Sequence, residues 1–210
     1  MSNARTEPMS IIETRLTHDF HREATSLLAD AARRPGVPLP AVAVLRDFLV
    51  AQLHHHHESE DDLLWPRLAA ADAQVAAGLA GLSEEHEQLD ASLDALAAAP
   101  AQDDGDRAKL AEAASAVRDL VHRHLEHEEP LLFAALRAHM PAEDWAEFSR
   151  QVIATSPMDA AHLLIGFFDL VGDPREVELV LAGLPEPARA AVPLMRAQAE
   201  TDLRVLRAAS

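Results

Sequence analysis

Apolar residues recur at steps of three and four along four long stretches of the chain, about Ser10 to Arg34, Pro40 to Leu68, Ala73 to Ala99 and Asp104 to Met140. That spacing gathers them on one side of an α-helix, so each stretch predicts an amphipathic helix. The segments PGVPLP, AAPAQDDGD and MP, between or after the stretches, carry residues that end helices and turn the chain. Four long helices with short connections predict an all-α fold, an up-down-up-down four-helix bundle over residues 10–140. Beyond it, PAEDWAEFSRQVIA, SPMDAAHLLIGFFDLVG, DPREVELVLAGL and PEPARAAVPLMRAQAE read as further helices, entered through Pro, Asp or Ser. Residues 141–210 are thus expected to form a helical C-terminal extension. Its apolar stretch from Leu163 to Phe168 must bury against the bundle's flank or a second subunit, so a homodimer through these helices is one expectation.

Composition narrows the chemistry. Aromatic residues make up only 4% of the 210 residues, which favours helices over sheets. Cysteine is absent, which excludes disulfides, thiolate metal sites, iron–sulfur clusters and a cysteine nucleophile. Tyrosine is absent too, so no tyrosinate can ligate a metal. The 35 acidic residues against 18 basic ones give a formal charge of -17, which repels phosphate backbones and anionic membranes. Nucleic acid and membrane are therefore not expected as partners. The longest apolar run, LLIGFFDLV, contains an aspartate and falls far short of the ~20 residues a spanning helix needs. The opening MSNARTEPMS lacks the apolar core of a secretory signal, and a cytoplasmic protein is expected.

An internal repeat adds to the helical pattern. A shift of 68 residues places His18 on His86 (86 − 18), His56 on His124 (124 − 56) and Glu60 on Glu128 (128 − 60). The same shift lays Leu49 on Val117, Leu53 on Val121, Leu63 on Leu131, Leu64 on Leu132 and Trp65 on Phe133. Any two amphipathic hairpins of similar length align their leucines somewhere, but matched histidines and glutamates go beyond that. The pattern predicts two antiparallel helix pairs related by a pseudo-twofold axis, each supplying one set of polar residues.

Helical phase selects among the four neighbours in HHHH. Val42, Leu45, Leu49, Leu53, His56, Glu60 and Leu63 form one stripe, as do Leu110, Val117, Val121, His124, Glu128 and Leu131. His54, His55, His57, His122 and His127 fall off these lines and are expected on solvated faces or behind the polar cluster. His56 and Glu60 lie one turn apart, ~6 Å along the axis, so both side chains reach the same spot. A buried carboxylate beside an imidazole, twice over, costs several kcal/mol unless paired or metal-bound. With His18 and His86 from the other helices, the core would hold four imidazoles and two carboxylates. That set can ligate two metal ions, with Glu60 and Glu128 as bridges, whereas a hydrogen-bonded polar core would need a protein partner for every group. Zinc is content with four ligands. Six nitrogen and oxygen donors in two halves suit two octahedral-leaning ions such as iron or manganese, with iron favoured.

At these residues the chain resembles the hemerythrin-like family, also called the HHE cation-binding domain. The family's pattern is one His, then His-x-x-x-Glu, then His, then His-x-x-x-Glu on four successive helices. It is met by His18, His56 to Glu60, His86 and His124 to Glu128, over about residues 10 to 140. EDDLLWP and EEPLLFA resemble the family's EExxLFP ending. The ferritin-like alternative requires Glu-x-x-His pairs, and this chain has none.

The resemblance implies two non-haem iron ions, oxo- or hydroxo-bridged, and a small oxidant as ligand: dioxygen, peroxide or nitric oxide. Oxygen-carrying hemerythrins use five histidines and two carboxylates, leaving one iron open. Here four histidines occupy matched positions. His21, one turn after His18, is a fifth imidazole or a neighbour of the ligands, and its repeat equivalent is Leu89 (89 − 68 = 21). A four-histidine centre has open coordination on both metals, which suits peroxide decomposition or nitric oxide trapping more than reversible storage. Two rival readings remain: a sensor of oxygen, nitric oxide or iron signalling through the C-terminal helices, and a di-iron oxidase of an organic substrate, which would need a side pocket. His162 is expected to be structural.

Overall fold

A computed structural model describes residues 7–208, and among them there is no strand. The helices are α1 (Met9–Arg33), α2 (Leu39–Ser59), α3 (Trp65–Ala71), α4 (Ala73–Ala98), α5 (Arg107–His139), α6 (Ala142–Thr155), α7 (His162–Val171), α8 (Pro174–Ala182) and α9 (Glu186–Arg207). A π-helical turn, Glu60–Leu64, joins α2 to α3, and a 3-10 turn, Asp104–Asp106, leads into α5. Asp72 starts α4 by accepting hydrogen bonds from the backbone N–H groups of Gln74 and Val75, and Asp173 does the same for Arg175 and Glu176 at α8.

The helices α1, α2, α4 and α5 close a ring in which each packs on its two neighbours in chain order, the up-down-up-down arrangement that the short connections require. At the end of the bundle where α1 turns into α2, the half-open carbonyls of that turn are satisfied by Arg107. Its guanidinium donates to the carbonyl of Val37 at 2.6 Å and of Arg34 at 3.0 Å.

Helix α1 is buried on two faces, because α6 to α9 cover the side that the bundle leaves open. Phe20 lies between α2 and α7, with its ring centre 5.8 Å from that of Phe48 and 5.5 and 6.2 Å from those of Phe167 and Phe168. Leu163, Ile165, Phe167 and Phe168 are all buried in the same apolar cluster as the bundle residues Leu45, Leu49, Leu93 and Val117. The apolar stretch of α7 thus finds its cover within the chain. Gly166 makes this possible at the crossing with α9, since a Cβ there would lie 2.6 Å from the Ala199 Cβ. Arg15 on α1 adds an ion pair of 2.7 Å to Glu176 on α8.

A second apolar cluster, with Ile11, Leu64, Trp65, Leu68, Leu132, Leu136, Trp145 and Phe148, fills the opposite end of the bundle. A layer of buried histidines and carboxylates falls outside both clusters. One expectation about the second helix needs correction. It does not run unbroken from Pro40 to Leu68: the Trp65 N–H bonds back to the Glu60 carbonyl, five residues away, and the helix takes in one extra residue there. Leu64 is consequently buried and Leu63 only partly so, although the stripe placed Leu63 in the core. At a matching depth α5 carries Pro130, which lacks the N–H that a helix interior normally donates, yet α5 continues as α-helix through it.

Candidate metal centre

Four ligand atoms, one each from His18, His56, Glu60 and Glu128, lie within 4.8 Å of one another. The two glutamates are the hinge of a larger group. Glu60 Oε2 lies 3.5 Å from His56 Nε2 and 3.6 Å from His86 Nε2. Glu128 Oε2 lies 3.8 Å from His18 Nε2 and 3.2 Å from His124 Nε2. His86 and His124 face each other through their Nε2 atoms at 3.1 Å. Each carboxylate therefore touches one imidazole of the pair His18–His56 and one of the pair His86–His124, so the structure brings together all six residues that the repeat singled out.

An outer layer holds these rings in place. His18 Nδ1 meets Glu129 at 3.2 Å, His86 Nδ1 meets Asp61 at 2.9 Å and His124 Nδ1 meets Glu85 at 3.0 Å. A carboxylate on Nδ1 fixes the proton there and leaves the Nε2 lone pair free. Asp61 and Glu129 share the repeat offset (129 − 61 = 68), and so do the rings above the histidines. Trp65 stacks over His86 and Phe133 over His18, both at 6.2 Å. The outer carboxylates were missed in the sequence reading although the same shift reveals them. Glu85 has no such counterpart, since Thr17 stands at its place (85 − 68 = 17).

Burial dominates the electrostatics. It pushes the Glu60 carboxyl well above the usual carboxylate range, with the Glu128 charge adding to the effect. Glu128 is equally buried, but the charges of His18 and His124 close by outweigh burial and hold it below that range. Burial, then neighbouring imidazoles, keeps His21 and His56 neutral well below the ordinary histidine value, and brings His86 down to about 4. His124 is also buried, yet its contacts with Glu128 and Glu85 raise it.

The residues fit a metal. His18 Nε2, His56 Nε2, Glu60 Oε2 and both oxygens of Glu128 are buried without a hydrogen-bond partner. An unpaired buried polar atom costs roughly 1–3 kcal/mol, so five in one place require something to satisfy them. Lone pairs converging from imidazole and carboxylate are the donors that divalent cations take.

The remaining histidines sort by contact. His55 meets Thr155 at 2.9 Å, His54 lies 3.3 Å from Asp90, His122 meets Ser26 at 3.3 Å and His127 is exposed beside Glu85. His162 is tied to Asp202 at 2.8 Å. His57 is buried at 2% exposure behind the polar cluster, one of the two places expected for a residue off the stripe. It bonds to Asp90 at 2.7 Å and stacks on His86 with ring centres 4.4 Å apart. His21 is buried against Phe20 and His56. A cleft of about 450 Å³ between α3 and α4, lined in part by Asp61, Trp65, Ser83, Glu87 and Asp90, reaches His86.

No helix among the described residues is long and apolar enough to cross a membrane. No curated protein and no solved structure matches the chain. The hemerythrin HHE cation binding domain matches residues 13–136, the span that carries all six converging residues and their outer carboxylates. With that match over more than half its length and a cation-ready His/Glu group in the bundle, the chain belongs to the hemerythrin HHE cation binding family.

Proposed function

We propose that the six residues hold two non-haem iron ions and that the protein binds or reduces a small oxidant: dioxygen, peroxide or nitric oxide. The observation that carries this reading is the place of the two carboxylates, each in contact with one imidazole from either pair. Iron bound there would supply Lewis-acid and one-electron redox chemistry to the small ligand. The chain's own part is orientation and exclusion. Asp61, Glu85 and Glu129 keep protons on the outer nitrogens, so the inner ones stay available as donors. The apolar clusters on either side of the layer keep bulk water away.

Elemental analysis and stopped-flow spectroscopy test the reading together. About two iron atoms per chain are expected after anaerobic iron loading, and the reduced protein is expected to oxidise quickly in air and then decompose peroxide or trap nitric oxide. One zinc per chain with no iron taken up would overturn the metal assignment. A stable oxygenated spectrum that reverses on removing oxygen would make the protein a carrier instead.

A second reading, a sensor of the same small molecules or of iron, draws support from one feature. Helices α6 to α9 all pack on α1, the helix that carries His18, so a shift of that helix would be felt across the extension.

A further inference from the structure

Beside the buried layer, the cleft between α3 and α4 holds about 450 Å³, within the roughly 300–1,000 Å³ of sites that take small molecules. Its charges have one sign. Asp61, Glu87 and Asp90 line it with Ser83 and His86, and its lining includes no lysine or arginine. Helix α4 carries five carboxylates, Glu84, Glu85, Glu87, Asp90 and Asp94, and again no lysine or arginine. The one arginine of α3, Arg67, bonds to the Asp144 carbonyl and to Gln151 of α6 instead. A cleft focuses such a field, so a cation is drawn in and an anion kept out. The rest of the wall is apolar, supplied by both helices and including Trp65, whose indole attracts cations more strongly than any other side-chain ring. An organic cation uses both features, whereas a hydrated metal ion would leave the apolar wall unused.

The cleft stops short of the point where the donors converge. Of the six converging residues only His86 lines it. Asp61 accepts from His86 Nδ1 at 2.9 Å and from the Ser83 hydroxyl at 2.5 Å, and both partners of that ring edge stand in the cleft wall. His86 Nε2 faces His124 at 3.1 Å, inside the layer. A molecule in the cleft therefore cannot receive an atom from the layer. It can give up electrons, because electron transfer needs proximity and not contact. Trp65 and His86 are nearly parallel, at 15° with ring centres 6.2 Å apart, so one pair of rings joins the cleft to the layer.

Resting on the two-iron reading above, we propose that this cleft is the docking site of a small organic cation that donates electrons one at a time to the centre through Trp65 and His86. A molecule that loses a single electron and stays intact is conjugated, hence flat, which suits a slot between two helices. Each docked molecule gives up one electron and departs one charge more positive. Two of them supply what one peroxide consumes: its O–O bond breaks on taking up two electrons and, with two protons from solvent, two waters form. The organic molecule is thus a reductant and not a substrate that gains oxygen.

Methyl viologen serves as the probe, as the dication for binding and as its one-electron-reduced radical cation for electron delivery. Two variants add the same charge at exposed positions: Ala80→Arg in the cleft wall and Leu194→Arg on α9, away from it. Calorimetry of the metal-free protein is expected to show one saturable viologen site, at least about ten-fold weaker in Ala80→Arg and unchanged in Leu194→Arg, since a like charge beside a bound cation repels it. In the iron-loaded protein, stopped-flow absorbance is expected to show reduced viologen reducing the ferric centre about ten-fold more slowly in Ala80→Arg. Reduction by the anionic hydroquinone of anthraquinone-2-sulfonate should not slow. Should Ala80→Arg not fold, Glu87→Gln at an exposed position of the same wall decides, with viologen expected about two- to five-fold weaker. Equal weakening in Ala80→Arg and Leu194→Arg would show a general attraction to the acidic chain and overturn the proposal, as would viologen rates untouched by Ala80→Arg. Viologen bound in the cleft of a protein that takes up no iron would instead defeat the two-iron reading, and not the cation site.

Discussion

His55 and His56 are chain neighbours that point to different chemistry. His56 Nε2 faces Glu60 in the buried layer, whereas His55 Nε2 meets the Thr155 hydroxyl at 2.9 Å, tying α2 to α6. His56→Ala should therefore lose bound metal. His55→Ala should keep it and cost about 1 kcal/mol, the net worth of one hydrogen bond. Metal content and a urea midpoint for the two variants check this, and a reversal of the metal result would mean the phase of α2 is misread. At this scale the six converging residues were legible in advance, because a carboxylate cannot sit in a core stripe without a reason. For His57 the order of residues left two places open, a solvated face or one behind the cluster, because a stripe says which way a side chain leaves its helix, but not whether another helix lies in its path. Asp90 on α4 lies there, and the ring is buried between Asp90 and His86.

Helices meet at small residues where backbones approach closely. The crossing of α7 and α9 depends on Gly166, where an added methyl would meet the Ala199 Cβ at 2.6 Å and the Leu203 Cδ1 at 2.9 Å. Gly166→Ala should destabilise the protein by roughly 1–3 kcal/mol by forcing the two helices apart. Chemical denaturation would show the loss. Iron content should be unchanged, because α7 contributes no donor, and a variant as stable as the wild type would mean that α9 yields without strain. The elements themselves were largely legible: the four long helices begin and end within a few residues of the turns that proline and aspartate announce. The π turn after Glu60 was not. It adds one residue to a helix whose apolar spacing still fits an α-helix, and only the contact of Asp61 with His86 shows what the added residue achieves.

The buried polar layer makes the stability of the whole molecule depend on pH and metal. His21, His56 and His86 have folded-state pKa values below those of the unfolded chain, with His86 near 4. As pH falls through about 6.5, the unfolded state takes up protons first. Stability from these three groups is thus present above that value and lost toward pH 4. Glu60 and His124 are shifted upward, so they act in the opposite sense, losing stability as pH rises. Three groups against two predict a metal-free protein whose denaturation midpoint falls between pH 7 and pH 5. A midpoint that rises on acidification would show Glu60 to dominate.

The all-helical class, the bundle and the pairing of two equivalent halves follow from the sequence alone, because helix period, helix-ending residues and a repeat offset are properties of order along the chain. So do the six converging histidines and glutamates, since burial makes their polarity conspicuous against an apolar stripe. Only the tertiary structure decided where the extension goes. Leu163 to Phe168 needed cover, and nothing in their order names α1 rather than a second subunit. Only the tertiary structure also distinguished the surroundings of His21 and His57, both buried. His21 is tilted at 59° to His56 and His57 lies at 13° to His86, and such angles between rings on different helices arise only when helices pack.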